Sequence, residues 1–307
     1  RFIINRLRAS KARDNPESDP DGLRSVFGQL FQALAGQRTD HFVTAKRGQQ
    51  LWNVDFAGEG SIDVGGPFRE SVTLACQDLM STATPLFLPS PNRTNDTGLN
   101  REKFVINPGA TSALMLRMFF FVGQLMGACL RTKFTLPLDL PSLVWKQLLG
   151  EPVTEGDLEA VDKLCLQALR GLATLEEAEF AELKQPFTTQ LSSGVVVSLL
   201  DDDGTTSKKQ ESVRMLTKAE VPRFHELVVQ KRLNESTQQL SELRKGFNSV
   251  VPLGMLSLFT WHEVELLVSV VLYVLACAVA LSAVVWCNCR AWLDLGRRWR
   301  YVKRRFM

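Results

Sequence analysis

Residues Thr111 to Leu130 form an almost unbroken apolar run, interrupted by Arg117 and Gln124. A helical segment of that length rises roughly 30 Å, so it either crosses a bilayer or is wrapped on all sides by a sizeable lobe. A cation near its middle and an amide side chain are costly in lipid, which favours the second outcome. The run is therefore expected to be the central buried helix of a soluble lobe. The rest of the chain must then supply apolar faces to cover it.

Several segments have the spacing to do so. Val26, Phe27, Leu30, Phe31 and Leu34 recur at helical intervals, as do Phe68, Val72, Ala75 and Leu79. Leu240, Leu243 and Phe247 mark one or two further helices near the end of the lobe. The stretch Leu51 to Met80 reads as strand, glycine-rich turn and helix. Trp52, Val54 and Phe56 alternate with Asn53 and Asp55 in the period of a half-buried strand. Pro67 suits a first helical position. The glycines Gly58, Gly60, Gly65 and Gly66 match neither GxGxxG nor GxxxxGK[ST], so the turn is a structural elbow rather than a phosphate cradle.

Elsewhere the pattern is mixed. Arg1 to Ala12 is expected to be helical, and Asn15 to Gly22 a polar linker. Short strands are expected within Pro85–Pro89 and over Phe104–Ile106, flanking a polar loop at Asn92–Asn100. Thr154-Glu155-Gly156-Asp157 reads as a capping box ahead of Leu158, Val161, Cys165, Leu169 and Leu172 on one face, and Thr174-Leu175-Glu176-Glu177 repeats the signal. Phe187–Leu191 and Val195–Leu200 read as strands. Asp201-Asp202-Asp203-Gly204 lacks the ligand spacing of a calcium loop and reads as a solvated turn. Thr217-Lys218-Ala219-Glu220, with Pro222, opens a helix reaching about Leu233. The fold class is α+β, mainly helical with short strands.

No chemistry-bearing constellation emerges from these residues. Cys76, Cys129 and Cys165 sit on apolar helical faces and read as buried thiols, whereas Cys277, Cys287 and Cys289 lie in the tail. No spacing suggests a disulfide framework, which points to a reducing compartment. His41, His225 and His262 are too dispersed to form a metal site with them. No catalytic, cofactor-binding or metal-binding residue is assigned, and no cofactor is expected. A net charge of +3 is too small to indicate nucleic acid. The chain begins without a methionine or signal peptide and is expected to be a fragment.

Four ordered motifs carry a family resemblance. Ile62-Asp63-Val64-Gly65-Gly66-Pro67-Phe68-Arg69-Glu70 comes first, then Phe121-Val122-Gly123-Gln124-Leu125-Met126-Gly127. Leu136-Pro137-Leu138 with Val144-Trp145-Lys146-Gln147-Leu148-Leu149-Gly150 follows. Gly246-Phe247, Val251-Pro252 and Leu256-Ser257-Leu258-Phe259-Thr260 close the series. Together they resemble the N-terminal lobe of HECT-type E3 ubiquitin ligases, over roughly Arg1 to Val268. The resemblance implies a bilobed HECT N-terminal lobe. Residues 1–50 would be the N-terminal helical part of that lobe, 51–152 its large subdomain, 153–215 an insertion corresponding to the small subdomain that receives the ubiquitin-loaded E2 enzyme, and 216–268 the return of the chain to the large subdomain. It also implies a ubiquitin transferase acting through a cysteine thioester in a second, C-terminal lobe. That cysteine's Thr-Cys-Phe-Asn-like setting is not found in this chain. Cys287-Asn288-Cys289 has no comparable surroundings, so E2 docking without thioester chemistry is the expectation.

After Val268 the sequence leaves the family pattern. Leu266 to Trp286 carries no charge, and Arg290, Arg297, Arg298, Arg300, Lys303, Arg304 and Arg305 follow. Residues 269–286 are expected to form a transmembrane helix, with 287–307 a basic tail suited to anionic headgroups. A membrane location through this segment is thus expected, in a family otherwise cytoplasmic. The same switch fits an alternative exon, a retained intron or a gene-model error. The positive-inside rule puts the tail in the cytosol and the lobe opposite, whereas a ubiquitin role needs the lobe in the cytosol. The sequons at Asn92, Asn95 and Asn234 would report a lumenal lobe. The alternative to a ligase-related lobe is a non-catalytic membrane-tethered interaction protein.

Overall fold

The computed structural model describes residues 1–36, 40–43, 50–60, 65–132, 134–199 and 214–269. The chain opens with strand β1 (Phe2–Ile4), helix α1 (Arg6–Asp14), α2 (Val26–Leu34) and the short α3 (Asp40–Val43). Strand β2 (Val54–Phe56) leads through the elbow to α4 (Gly66–Leu79). Strand β3 (Phe87–Pro89), α5 (Pro91–Thr94) and β4 (Phe104–Ile106) precede the long α6 (Ala113–Arg131) and α7 (Ser142–Leu149). Then come α8 (Glu155–Glu159), α9 (Lys163–Thr174), α10 (Glu177–Leu183), β5 (Thr188–Gln190) and β6 (Val196–Ser198). The described chain closes with α11 (Val221–Leu233), α12 (Thr237–Val250) and α13 (Trp261–Ser269).

Helix α6 is the axis of the larger hydrophobic cluster. Ser112 starts it by accepting a hydrogen bond from the Met115 amide at 3.2 Å. Every residue from Phe121 to Leu130 is buried, Gln124 included. Among the described residues α6 is the one helix long and apolar enough to cross a membrane, but most of it lies inside the lobe. The expectation of a central buried helix holds.

Two walls cover it. Helix α12 lies so close that a Cβ built on Gly123 would stand 2.1 Å from the Leu243 carbonyl oxygen. A Cβ on Gly246 would stand 1.8 Å from the Phe120 carbonyl oxygen. Backbone meets backbone there, and only a residue without a side chain fits. On the other side the rings of Phe27, Phe31 and Phe42 surround Phe121 at centroid distances of 6.0, 5.7 and 6.3 Å. Helix α2 is fixed to α4 by Asp78, which accepts from the Val26 amide at 2.6 Å and from Arg13 Nη2 at 2.6 Å.

The strands form three two-stranded sheets. β1 pairs in parallel with β2, Phe2 opposite Val54 and Ile4 opposite Phe56. The first twelve residues are therefore not one helix. Phe2-Ile3-Ile4 has strand propensity, and Asn5 then caps α1 by accepting from the Arg8 amide at 2.8 Å. β3 and β4 form an antiparallel pair, and the loop between them contains the short α5. β5 and β6 form the third pair.

The expected single face from Leu158 to Leu172 is two helices. Asp162 accepts from the Cys165 amide at 3.1 Å and caps a new start at Lys163. The second cap signal shifts by two residues, because Thr174 ends α9 and Glu176 forms the box with Glu179. Leu266 to Val268 belong to α13, where Val268 is fully buried and its carbonyl accepts from the Leu136 amide at 2.8 Å. The expected span at 269–286 lies outside the described residues beyond Ser269, as do the acidic turn at 201–204 and the basic tail.

Candidate docking surface

A second hydrophobic cluster is built on α8, α9, α10, the β5–β6 hairpin and α11. Leu166, Phe180, Phe187, Val221, Phe224 and Val228 are among its buried residues. Phe187 and Phe224 meet edge to face with centroids 5.4 Å apart. The capping box expected at Thr154 forms, with the Thr154 amide donating to Asp157 at 2.9 Å. Burial pushes the Asp157 carboxyl up. The Lys146 ammonium at 2.7 Å and the Thr154 groups outweigh it and hold the carboxyl below its usual range.

Two polar joints lock this cluster to the rest of the lobe. Asn92, fully buried on α5, donates to the carbonyls of Leu99 at 2.9 Å and Ala160 at 3.1 Å, and accepts from the Lys163 amide at 2.7 Å. Gln147 on α7 donates to the Leu233 carbonyl at 2.6 Å. Within the cluster, Arg232 on α11 ties its parts together and is only 5 % exposed. It reaches Asp162 at 2.8 Å, Glu235 at 3.0 Å and the Ser192 hydroxyl at 3.1 Å. Ser192 in turn donates to Glu235 at 2.5 Å. Burial works against the guanidinium's charge, but the two carboxylates reverse the balance and raise its pKa.

Outward, the same elements leave large apolar side chains in water. Val196 on β6 is 62 % exposed, Met215 is 52 % and Leu183, at the end of α10, is 48 %. Val195 and Leu164 add to them. Single exposed apolar residues need no explanation, but here several elements around one small core each present one. Helix α10 rests on that core through Phe180 alone, while its other residues are exposed.

The described cysteines offer no nucleophile. Burial drives the Cys76 and Cys129 thiols upward and the Cys165 thiol to about 11. Cys165 is only partly covered, which corrects its reading as a buried core thiol. Cys277, Cys287 and Cys289 lie outside the described residues. His225 contacts Glu155 at 3.2 Å and His262 contacts Glu265 at 3.4 Å. Among the described residues no three histidines, cysteines or carboxylates converge as a metal site.

Sequence reasoning missed Asn92, Gln147 and Arg232 as structural joints. For Arg232 a signal existed: it continues the four-residue stripe Phe224–Val228, so a cation was due on a buried face. Asn92 and Gln147 act on carbonyls distant in sequence, which no local pattern reveals.

The family model described as HECT-domain (ubiquitin-transferase) matches residues 73–273. The E3 ubiquitin-protein ligase HERC2 of Mus musculus is 34% identical over 268 residues, covering 86% of this chain and 5% of the relative. The human HERC2 aligns with the same identity and coverage. The E3 ubiquitin-protein ligase TOM1 of Saccharomyces cerevisiae is 24% identical over 282 residues, 88% of this chain and 8% of its own length. The chain thus corresponds to a small part of these relatives.

Proposed function

The chain belongs to the HECT-domain family of ubiquitin transferases, and we propose that it serves a ubiquitin ligase as the lobe that receives the ubiquitin-conjugating E2 enzyme. The small cluster formed by 153–215 with α11 is the docking subdomain in this reading. The observation that carries it is the exposure of the large apolar side chains Leu183, Val196 and Met215 on segments of that cluster. Transfer of ubiquitin from E2 to substrate is the activity of the whole ligase, and its thioester cysteine is supplied from outside the described lobe. Val196→Asp and Leu183→Asp are each expected to weaken E2 binding at least about tenfold, or roughly 1.4 kcal/mol, with thermal unfolding unchanged because both sites face water. Fluorescence anisotropy with a panel of labelled E2 enzymes measures this, and undiminished affinity in both variants overturns the reading. Mixed with ubiquitin-loaded E2, the chain is expected to show no thiol-sensitive ubiquitin adduct on a non-reducing gel.

A membrane tether accompanies this role. Val268 is fully buried in the lobe, and residues 269–286 carry no charge, a length that would rise roughly 27 Å as a helix. The buried amide of Asn92 supports a cytosolic lobe. In a lumen the sequon Asn92-Arg93-Thr94 would accept a glycan before folding, and the glycan would occupy the nitrogen that now donates to Leu99 and Ala160. The chain is expected to stay in membranes through carbonate extraction and to show no mobility shift with peptide N-glycosidase. Release into the supernatant removes the tether, and a glycosidase shift reverses the topology.

A further inference from the structure

Helix α9 ends at Thr174, whose hydroxyl donates to the Gly171 carbonyl at 2.8 Å, and Leu175 follows in extended conformation, which leaves the carbonyls of Leu172, Ala173 and Leu175 to a donor from elsewhere. Those carbonyls carry the negative end of the helix dipole and need donors. They are met by Lys218, more than forty residues later in sequence. Its ammonium donates to the carbonyls of Leu175 at 2.6 Å, Ala173 at 3.1 Å and Leu172 at 3.2 Å. The same nitrogen lies 5.7 Å from the centre of the Phe180 ring, the one side chain that anchors α10. Lys218 is itself held in a rigid turn, because Thr217 and Glu220 close a capping box at 2.7 Å and 3.2 Å and Arg214 pairs with Glu220.

Helix α10 has little else to fix its direction. It is seven residues long, shorter than a helix that is stable alone. It ends at Lys184 in the left-handed region with φ 49°, a conformation that a non-glycine residue adopts at a cost. Glu177 and Glu182 on it make no ion pair among the described residues, while Glu176 and Glu179 are taken up by the capping box at its start. The tilt of α10, and with it the direction in which Leu183 points, therefore depends on Phe180 and on the chain reversal at Leu175 that Lys218 clamps.

We infer that Lys218 is a positioning residue of the docking face: its ammonium caps α9 from a distance and fixes the α9–α10 reversal that aims Leu183 outward. The inference rests on the docking role proposed above and adds to it a residue that touches no partner. The geometry also explains why lysine is suited to the place. Three carbonyls converge on one tetrahedral nitrogen, whereas a planar guanidinium would direct its N–H groups apart.

The test uses the full chain with Lys218→Met, which keeps the aliphatic stem over Phe180 and removes the donors, and Lys218→Arg, which keeps the charge. Hydrogen exchange by mass spectrometry reads the amides of 175–183, and anisotropy with the best-binding E2 reads docking. In Lys218→Met these amides are expected to exchange about tenfold faster or more, with α6 and α12 unchanged and E2 affinity reduced about tenfold. Lys218→Arg is expected to show the same loosening in smaller degree. Leu183→Ala should weaken binding in the parent chain and add little in Lys218→Met, since the two act through one helix. Unchanged exchange at 175–183 overturns the inference whatever the affinities do. Loosened exchange with unchanged E2 affinity also overturns it, because α10 then has no part in docking. If the parent chain binds no E2, the docking role itself falls, and that outcome is seen in the parent before any variant is read.

Discussion

Gly246→Ala is expected to cost roughly 3 kcal/mol or more and to leave little folded protein at 37 °C, because the added methyl overlaps backbone rather than a yielding side chain. The new Cβ would stand 1.8 Å from the Phe120 carbonyl oxygen, 2.7 Å from its carbonyl carbon and 3.0 Å from its Cα, all on α6. Relief requires moving α12 away from α6, and that separates Leu243, Phe247 and Val250 from the centre of the core. Gly123→Ala is expected to behave alike from the other helix. Gly171→Ala is the control. It lies within α9 with nothing inside 4 Å of its Cβ, and alanine there should be neutral or stabilising by about 0.5–1 kcal/mol. Urea unfolding followed by circular dichroism separates the three. A Gly246→Ala protein as stable as its parent would mean that the two helices do not pack backbone to backbone.

Arg232→Met is expected to destabilise by about 3–5 kcal/mol, the range for removing one partner from a buried ion cluster. The methionine fills the space, so the loss is electrostatic: Asp162 and Glu235 stay buried with no cation beside them. The triple change Arg232→Met, Asp162→Asn and Glu235→Gln should recover a large part of the loss, since uncharged groups cost less to bury. Failure of the triple variant to recover any stability would assign the effect to lost shape. The damage should start locally, where the hairpin turn at Ser192, the cap of α9 and the end of α11 meet, and hydrogen exchange would show it there first.

How far the sequence carried the fold depends on the range of each interaction. The central helix, the covering helices at 26–34, 66–79 and 237–250, and the strands of the two antiparallel pairs follow from apolar periodicity and caps, all read within a few residues. The glycines in Phe121–Gly127 and at Gly246 were visible as motif positions, but their reason was not. It lies in contact between helices more than a hundred residues apart. The strand at Phe2–Ile4 was hidden because three residues without their partner at Val54–Phe56 look like the start of the adjacent helix. The break at Asp162 was missed because Leu158, Val161, Cys165, Leu169 and Leu172 keep helical spacing across it, and the aspartate that restarts the helix looked like one more polar residue. The docking role proposed for the small cluster was suggested only by family resemblance, since exposed Leu183, Val196 and Met215 differ from buried neighbours in nothing that the sequence shows.

The pairing of α6 with α12 has a further consequence during synthesis. The ribosome completes Ala113–Arg131 roughly a hundred residues before it reaches Thr237–Val250. At 5–20 residues per second the gap lasts about 5–20 s. Through that interval a nineteen-residue segment of transmembrane-like hydropathy waits without the helix that will cover its glycine face. The nascent lobe is thus a natural client for a holdase chaperone. Slowing translation between codons 131 and 237 should lower its yield more than slowing it elsewhere.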